Sequence, residues 1–376
     1  MSASNNTLNI VAKTKILNGG PLPTVIAGPC SAESEEQMLQ TAHELKKDHR
    51  VSIFRAGIWK PRTRPGMFEG VGTVGLEWLK TVKQETGLLT AVEVANTQHV
   101  EEALKHGVDI LWVGARTTVN PFSVQEVADA LQGVDVPVLV KNPVNPDIQL
   151  WLGALERLNR AGITDLGLIH RGFSTPNNKP YRNHPKWQTI QEIRNLAPGI
   201  PLLCDPSHIA GRRDLLETVS QQALHLGVDG LMIETHTNPD VALSDASQQV
   251  TPAGLDKLLT ALDLESERVA QPEQLQDLRS LIDKLDNELL NVLFLRSDVS
   301  KRIGEYKRAN NLDIYQASRW QQILENRQKI AADTGLDSDF VKAIFDTIHS
   351  FSLGIQNEVF ATQPAPQQDT VASSKS

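Results

Sequence analysis

A chain of 376 residues is longer than one hydrophobic core usually serves, so two domains are expected. With 40% hydrophobic and 22% charged residues the chain reads as globular, and 45 acidic against 37 basic residues leave a net charge of -8, which argues against nucleic-acid partners and a basic membrane anchor. Two cysteines, Cys30 and Cys204, are too few for a disulfide framework, the start MSASNNTLNIVAK lacks the apolar core of a signal peptide, and no run of about 18 apolar residues occurs, so a reducing cytoplasmic setting is expected.

From Thr24 to His236 eight β-branched runs recur in order: TVIAGPC, SIFRAG, LLTAVEV, ILWVGA, VPVLVKN, LGLIHRG, IPLLCDPSH and GLMIETH. Each is separated from the next by an amphipathic stretch of helix length. Continuously apolar strands alternating with helices indicate a parallel sheet, and eight units over some 240 residues suit a closed (β/α)8 barrel, the TIM-barrel architecture, better than an open doubly wound sheet. No GxGxxG follows the first strand, which weakens a dinucleotide-binding reading.

The barrel domain is assigned to residues 1–262, and LDLESERVAQ, beginning at Leu262, supplies a linker over 263–272. The pattern then changes to all-α over 273–360. About 35 residues to Arg308 carry no Gly or Pro except Gly304, which predicts one long helix. A break at Ala309 to Asp313 precedes a shorter helix near Ala317 to Ala332, and a third follows Gly335 with Phe340, Ile344, Ile348, Phe351 and Ile355 on one face. Three helices of such unequal length leave a long apolar seam suited to burial against a second copy, hence an expected homodimer. The tail, 361–376, has the composition of disorder.

Functional groups of such barrels sit at the C-terminal strand ends. There the runs deliver Cys30, Arg55 with Lys60, Glu93, Arg116, Lys141, His170 with Arg171, His208, and Glu234 with His236. Any one of them could simply mark where a strand turns polar; eight together are harder to set aside. Arg55, Lys60, Arg116, Lys141 and Arg171 would repel one another unless a polyanion such as a phosphorylated substrate lay between them. Cys30, His208, Glu234 and Asp245 offer a thiolate, an imidazole and two carboxylates, a set suited to a divalent transition metal with an open position. Taken singly, Cys30 could be a small core residue, His208 a helix cap and Asp245 a loop acid, and spacing does not join the four.

The strings GPCS, FRAG, KPRT, VGAR, VKNP, HRG, CDPSH and IETH, with ALSD ending at Asp245, resemble in content and order the type I β 3-deoxy-D-arabino-heptulosonate 7-phosphate (DAHP) synthases. The resemblance implies one divalent ion (Mn, Fe, Zn, Co or similar) on Cys30, His208, Glu234 and Asp245. It implies phosphoenolpyruvate on Arg55, Lys60, Arg116, Lys141 and Arg171, with Ala115 as a backbone donor, and erythrose 4-phosphate on Lys60, Pro61, Arg62 and Thr63. In the expected reaction the ion polarises the aldehyde, carbon 3 of phosphoenolpyruvate attacks it, and a water ordered by Glu93 adds at carbon 2 before phosphate leaves. Lys60 is the expected proton donor, among cations that ease loss of its proton. The 3-deoxy-D-manno-octulosonate 8-phosphate synthases share this chemistry but carry a KANRS-type segment, so KPRT favours the four-carbon aldose.

Arg296 and Lys307, eleven residues apart on the long helix, differ by about 20° in azimuth and point the same way, whereas Arg279 lies roughly 25 Å from Arg296 along the axis. A solvated basic stripe would look the same. From Leu275 to Phe360 the chain resembles the AroQ-type chorismate mutases, intertwined three-helix dimers. Their chorismate or prephenate ligands fall on Arg279 from a second copy, Arg296, Lys307, Gln316, Arg319, Ser352 and Gln356, with Lys307 and Gln356 feeding the ether oxygen. Two positions depart from the family: Gln316 replaces its usual Asp, and Trp320 its usual Glu. A non-catalytic regulatory and dimerising domain therefore stands as the alternative to a second active site. Because barely two dozen residues precede the first strand, the appended domain is also the expected seat of feedback by prephenate or chorismate.

Overall fold

The computed structural model describes residues 23–60, 66–175, 179–262, 264, 275–334 and 336–361, excluding the side chains of 275–281, 283–284 and 332–334. Pro61, Arg62, Thr63, nearly all of the expected linker and the tail beyond Ala361 lie outside these residues. The chain divides into two compact units, 1–271 and 272–376.

Among its described residues the first unit has eight strands: β1 (Thr24–Gly28), β2 (Val51–Ala56), β3 (Leu89–Val94), β4 (Ile110–Val113), β5 (Val138–Lys141), β6 (Leu166–His170), β7 (Leu202–Cys204) and β8 (Gly230–Glu234). Each pairs in parallel with the next and β8 closes on β1, so the barrel read from the sequence is the barrel that forms. Its interior is filled by Ile26, Ile53, Trp112, Leu139, Ile169, Leu203 and Met232, while alternate residues face the surrounding helices. Burial on both faces is why these strands read as unbroken apolar runs.

The helices are α1 (Glu35–Lys46), α2 (Val74–Thr86), α3 (Thr97–Lys105), α4 (Ala115–Thr118), α5 (Pro121–Ala130), α6 (Ile148–Arg160), α7 (Gln188–Leu196), α8 (Pro206–Ala210), α9 (Leu216–His225) and α10 (Pro252–Ala261). Ser34, Asn96, Asp147 and Thr251 cap α1, α3, α6 and α10 by accepting a first-turn backbone N–H, which ends each loop at a defined residue.

The second unit has α11 (Leu275–Ala309), α12 (Ala317–Thr334) and α13 (Ser338–Ala361). α11 and α13 approach closely at Gly304, where a Cβ would stand 3.2 Å from the Cα of Gln356. Arg308 donates from Nη1 to the Val359 carbonyl at 2.6 Å. Leu285, Leu289, Val292, Phe294, Phe340 and Phe351 are exposed within this unit, so much of the apolar seam has no cover in one copy.

Candidate active site

Gly28 ends β1 with φ +144°, and a Cβ there would fall 2.1 Å from the Arg55 carbonyl oxygen; the glycine lets β1 close on β2 where Arg55 leaves it. Two residues on, Cys30 is fully buried, its N–H donating to Gln249 Oε1 at 2.9 Å. Its sulfur lies 3.5 Å from Asp245 Oδ2 and 3.1 Å from Lys60 Nζ. Ligand atoms of Cys30, Glu234 and Asp245 all fall within 4.8 Å of one another. Asp245 reaches the cluster from a left-handed backbone, φ +47°, which Asp tolerates better than most residues.

Three of the four expected ligands thus converge, and the fourth stands beside them. His208 Nδ1 is 2.9 Å from Asp205 Oδ2 and 3.9 Å from Glu234 Oε1, outside the cluster itself, because the Asp205 carboxylate holds the imidazole. Nor does His208 cap α8: Asp205 does so, accepting the His208 backbone N–H at 3.1 Å. Glu234 Oε2 takes a hydrogen bond of 2.6 Å from Gln248, whereas the buried Oε1 accepts none among the described residues and faces Arg55 Nη1 at 3.5 Å. A buried carboxylate oxygen left without a donor, beside a thiol and a second carboxylate, fits a dication of the transition series.

Burial, then Glu234, pushes the Cys30 thiol up to about 12, with Lys60 opposing. Burial also acts to raise Glu234 and Asp245, but His208 and Arg55 outweigh it at the first, and Arg182 and His208 hold the second at about 2. Lys60 therefore meets Cys30, Glu234 and Asp245. Acidic groups thus join the cations expected around it, because the loop after β2 returns Lys60 to the ligand cluster, where Arg55 also lies.

The other cations line the same mouth. Arg55 and Lys141 both lie over the Trp112 ring, 5.0 and 5.8 Å from its centre. Lys141 Nζ donates to Asp205 Oδ2 at 2.7 Å. Burial would raise Asp205, yet His208 and Lys141 hold it well below the usual carboxylate range. Arg171 is buried and bonds Asn183 Oδ1 at 2.9 Å; burial lowers it to about 10, with Arg182 and Arg116 adding repulsion against Asp205. Ala115 and the exposed Arg116 open α4 just past β4.

Glu93 Oε2 accepts the Trp112 indole N–H at 3.0 Å. A Cβ on Gly114 would sit 2.0 Å from Glu93 Oε1, so only glycine leaves room for this carboxylate. Glu93 also borders a pocket of about 230 Å³ with Trp59, Lys60, Glu69, Ala95 and His99, where Trp59 stacks on His99 at 4.0 Å. His170, read as a strand-end functional group, instead lies fully buried among Trp151, Phe173 and Trp187, and burial lowers it to about 4. It is a neutral core histidine.

Sequence reading missed Asp205, Trp112, Arg182 and Gln248. Asp205 was visible inside CDPSH, but nothing in its spacing announces a counter-ion for Lys141.

In the helical unit Arg296 Nη1 donates to the Ser352 hydroxyl, and Lys307 Nζ to the Ile314 carbonyl at 2.6 Å. Gln356 is buried, and its Oε1 has no hydrogen-bond partner among the described residues. Gln316 and Arg319 are exposed, the latter 3.5 Å from Gln322 Oε1. Arg279 lies on α11 with its side chain outside the described residues. Trp320 stacks on His349, a residue that sequence reading did not select.

Residues 6–270 match the DAHP synthetase I family and residues 278–357 match chorismate mutase type II. A phospho-2-dehydro-3-deoxyheptonate aldolase of Thermotoga maritima is 35% identical over 227 residues, covering 60% of this chain and 65%, just under two thirds, of that protein. A 2-dehydro-3-deoxyphosphooctonate aldolase of Synechococcus sp. is 28% identical over 286 residues, 68% of this chain and 92% of that one. Among solved structures, a DAHP synthase from Thermotoga maritima superposes with a TM-score of 0.61 at 29% identity, over 69% of this chain and 76% of the other.

Proposed function

The chain belongs to the DAHP synthetase I family, with a chorismate mutase type II domain behind its barrel, and from that membership we propose a bifunctional enzyme of the shikimate pathway. The barrel condenses phosphoenolpyruvate with erythrose 4-phosphate to DAHP and phosphate; the helical domain rearranges chorismate to prephenate. The observation that carries the barrel reading is Glu234 Oε1, buried without a donor beside Cys30 and Asp245 and flanked by Arg55 and His208.

Cys30, Glu234 and Asp245, with His208 alongside, would hold one divalent ion, which when bound polarises the aldehyde oxygen. Arg55, Lys141, Arg171 and Arg116 bind the carboxylate and phosphate of phosphoenolpyruvate, with the Ala115 N–H as a further donor. The buried Trp112 ring lies under Arg55 and Lys141 and supports both cations. As carbon 3 bonds to the aldehyde carbon, Lys60 gives a proton to its oxygen. Glu93 orders a water that adds at carbon 2 and takes its proton, after which the carbon–oxygen bond to phosphate breaks. Erythrose 4-phosphate is assigned to Lys60, Pro61, Arg62 and Thr63.

Phosphate release from phosphoenolpyruvate, measured with each aldose in turn, tests this: erythrose 4-phosphate should support it and arabinose 5-phosphate should not. The second outcome is a live rival because several relatives are named 2-dehydro-3-deoxyphosphooctonate aldolases, and turnover with arabinose 5-phosphate alone would replace the reading. A Lys60→Met enzyme with near-normal turnover removes Lys60 as the proton donor.

For the helical domain, Arg296, Lys307, Ser352 and Gln356 hold the dicarboxylate. Gln316 and Trp320, where acids are usual, favour the second reading of a purely regulatory domain, and chorismate consumption by the full chain decides between them. A second copy covering the exposed apolar faces and bringing Arg279 makes a homodimer, which sedimentation tests. No described helix is long and apolar enough to cross a membrane, and a cytoplasmic location completes the proposal.

A further inference from the structure

Trp320 of α12 lies flat against His349 of α13, ring centroids 3.9 Å apart and planes 7° from parallel, with Tyr315 at 6.1 Å from the same imidazole. Such a stack fixes the plane of the imidazole and leaves only its edge for hydrogen bonding. On that edge Nε2 is buried and has no hydrogen-bond partner among the described residues. A buried ring nitrogen without a partner is costly unless a ligand meets it.

Polar groups of α11 and α13 meet beside it. Ile348, next to His349, offers its carbonyl 3.5 Å from Arg296 Nη1, and Ser352, one turn further along α13, accepts from the same guanidinium. Arg296 and Lys307 of α11 are both close enough to act electrostatically on His349; Asp346, on its own helix, opposes them. From α12 and the turn before it come the uncharged faces of Trp320 and Tyr315.

We propose that His349, braced by Trp320, is a ligand-contacting residue of the helical site, and that a dicarboxylate bound between Arg296 and Lys307 draws a proton onto its imidazole. The identity of the dicarboxylate rests on the chorismate and prephenate reading above. Without ligand, burial and the two cations favour the neutral ring. A bound dianion offsets both cations and offers Nε2 an acceptor, so the imidazolium is favoured in the complex. Binding then takes up a proton, and affinity strengthens as pH falls through the histidine range. Trp320 stands where the family usually has an acid, and it braces a titratable imidazole instead.

Prephenate is titrated calorimetrically into the full chain at about pH 6 and about pH 8, in two buffers of different ionisation enthalpy. The wild-type chain should take up protons on binding and bind roughly tenfold more tightly at the lower pH. His349→Phe, which keeps a ring on Trp320 but no nitrogen, should bind more weakly with no pH slope and no proton uptake; His349→Asn should recover part of the affinity with none of the slope. A Phe variant that keeps the wild-type affinity and proton uptake overturns the proposal, as does a wild-type chain that fails to bind prephenate or binds it without taking up protons. Chorismate turnover is followed in parallel: proton-linked binding without turnover removes the catalytic reading of the domain and leaves His349 as the ligand contact.

Discussion

Lys60 Nζ lies 3.1 Å from the sulfur of Cys30, so the proposed proton donor and a proposed metal ligand touch before any substrate arrives. The thiol, pushed up to about 12 chiefly by burial, is protonated at neutral pH in the metal-free protein. An ion that takes the thiolate must expel that proton. Adding Mn, Co or Zn to chelator-stripped protein should therefore release one proton per ion, and affinity should rise about tenfold per pH unit near neutrality. Proton release read by an indicator dye beside a metal titration checks this; binding without release would remove Cys30 from the ligand set.

Gly114→Ala should damage the synthase through Glu93. The added Cβ would fall 2.0 Å from Glu93 Oε1, while Trp112 pins the other oxygen at 3.0 Å, so the carboxylate has to leave its place. A misplaced water-ordering group costs on the order of 100-fold in turnover. Steady-state kinetics should give that loss in kcat with a small change in KM for phosphoenolpyruvate, and chorismate consumption by the same variant should be unaltered.

The eight strands were legible because burial on both faces writes each of them as an apolar run, and the helical unit because its first helix carries one glycine and no proline over some 35 residues. Cys30, Glu234 and Asp245 were readable as chemistry, but their convergence depends on β1, β8 and the loop beyond it meeting in space. Asp205 escaped notice because its partner Lys141 is 64 residues away. His170 misled for the opposite reason: a strand-end histidine looks functional until aromatic neighbours bury it. His349 becomes visible only once α12 and α13 pack.

Asp48 should contribute to the acid stability of the barrel. Burial acts to raise it, but hydrogen bonds from Arg50 hold it below the usual carboxylate value, and the same guanidinium reaches Asp256 on α10 at 2.5 Å. Because the folded value is the lower one, the stabilisation is present above the unfolded value of about 4 and lost as pH falls below it. Asp48→Asn should cost about 1 kcal/mol at pH 7, a modest figure because solvent still reaches the pair. Denaturant titrations should find the gap between variant and wild type closing as pH is lowered toward about 3.

If the helical site feeds back on the barrel, the coupling has to run equally in both directions. A ligand of the helical domain that weakens phosphoenolpyruvate binding by some factor must itself be weakened by phosphoenolpyruvate by that same factor, about 5- to 150-fold for coupling of ordinary strength. Calorimetry of prephenate with and without saturating phosphoenolpyruvate, set against the converse titration, should return one number twice. Equality is required for binding constants and not for turnover, so the synthase rate is measured separately and should fall when prephenate is saturating. A rate indifferent to prephenate, with both titrations unchanged, would mean that the two domains share a chain without sharing a free energy.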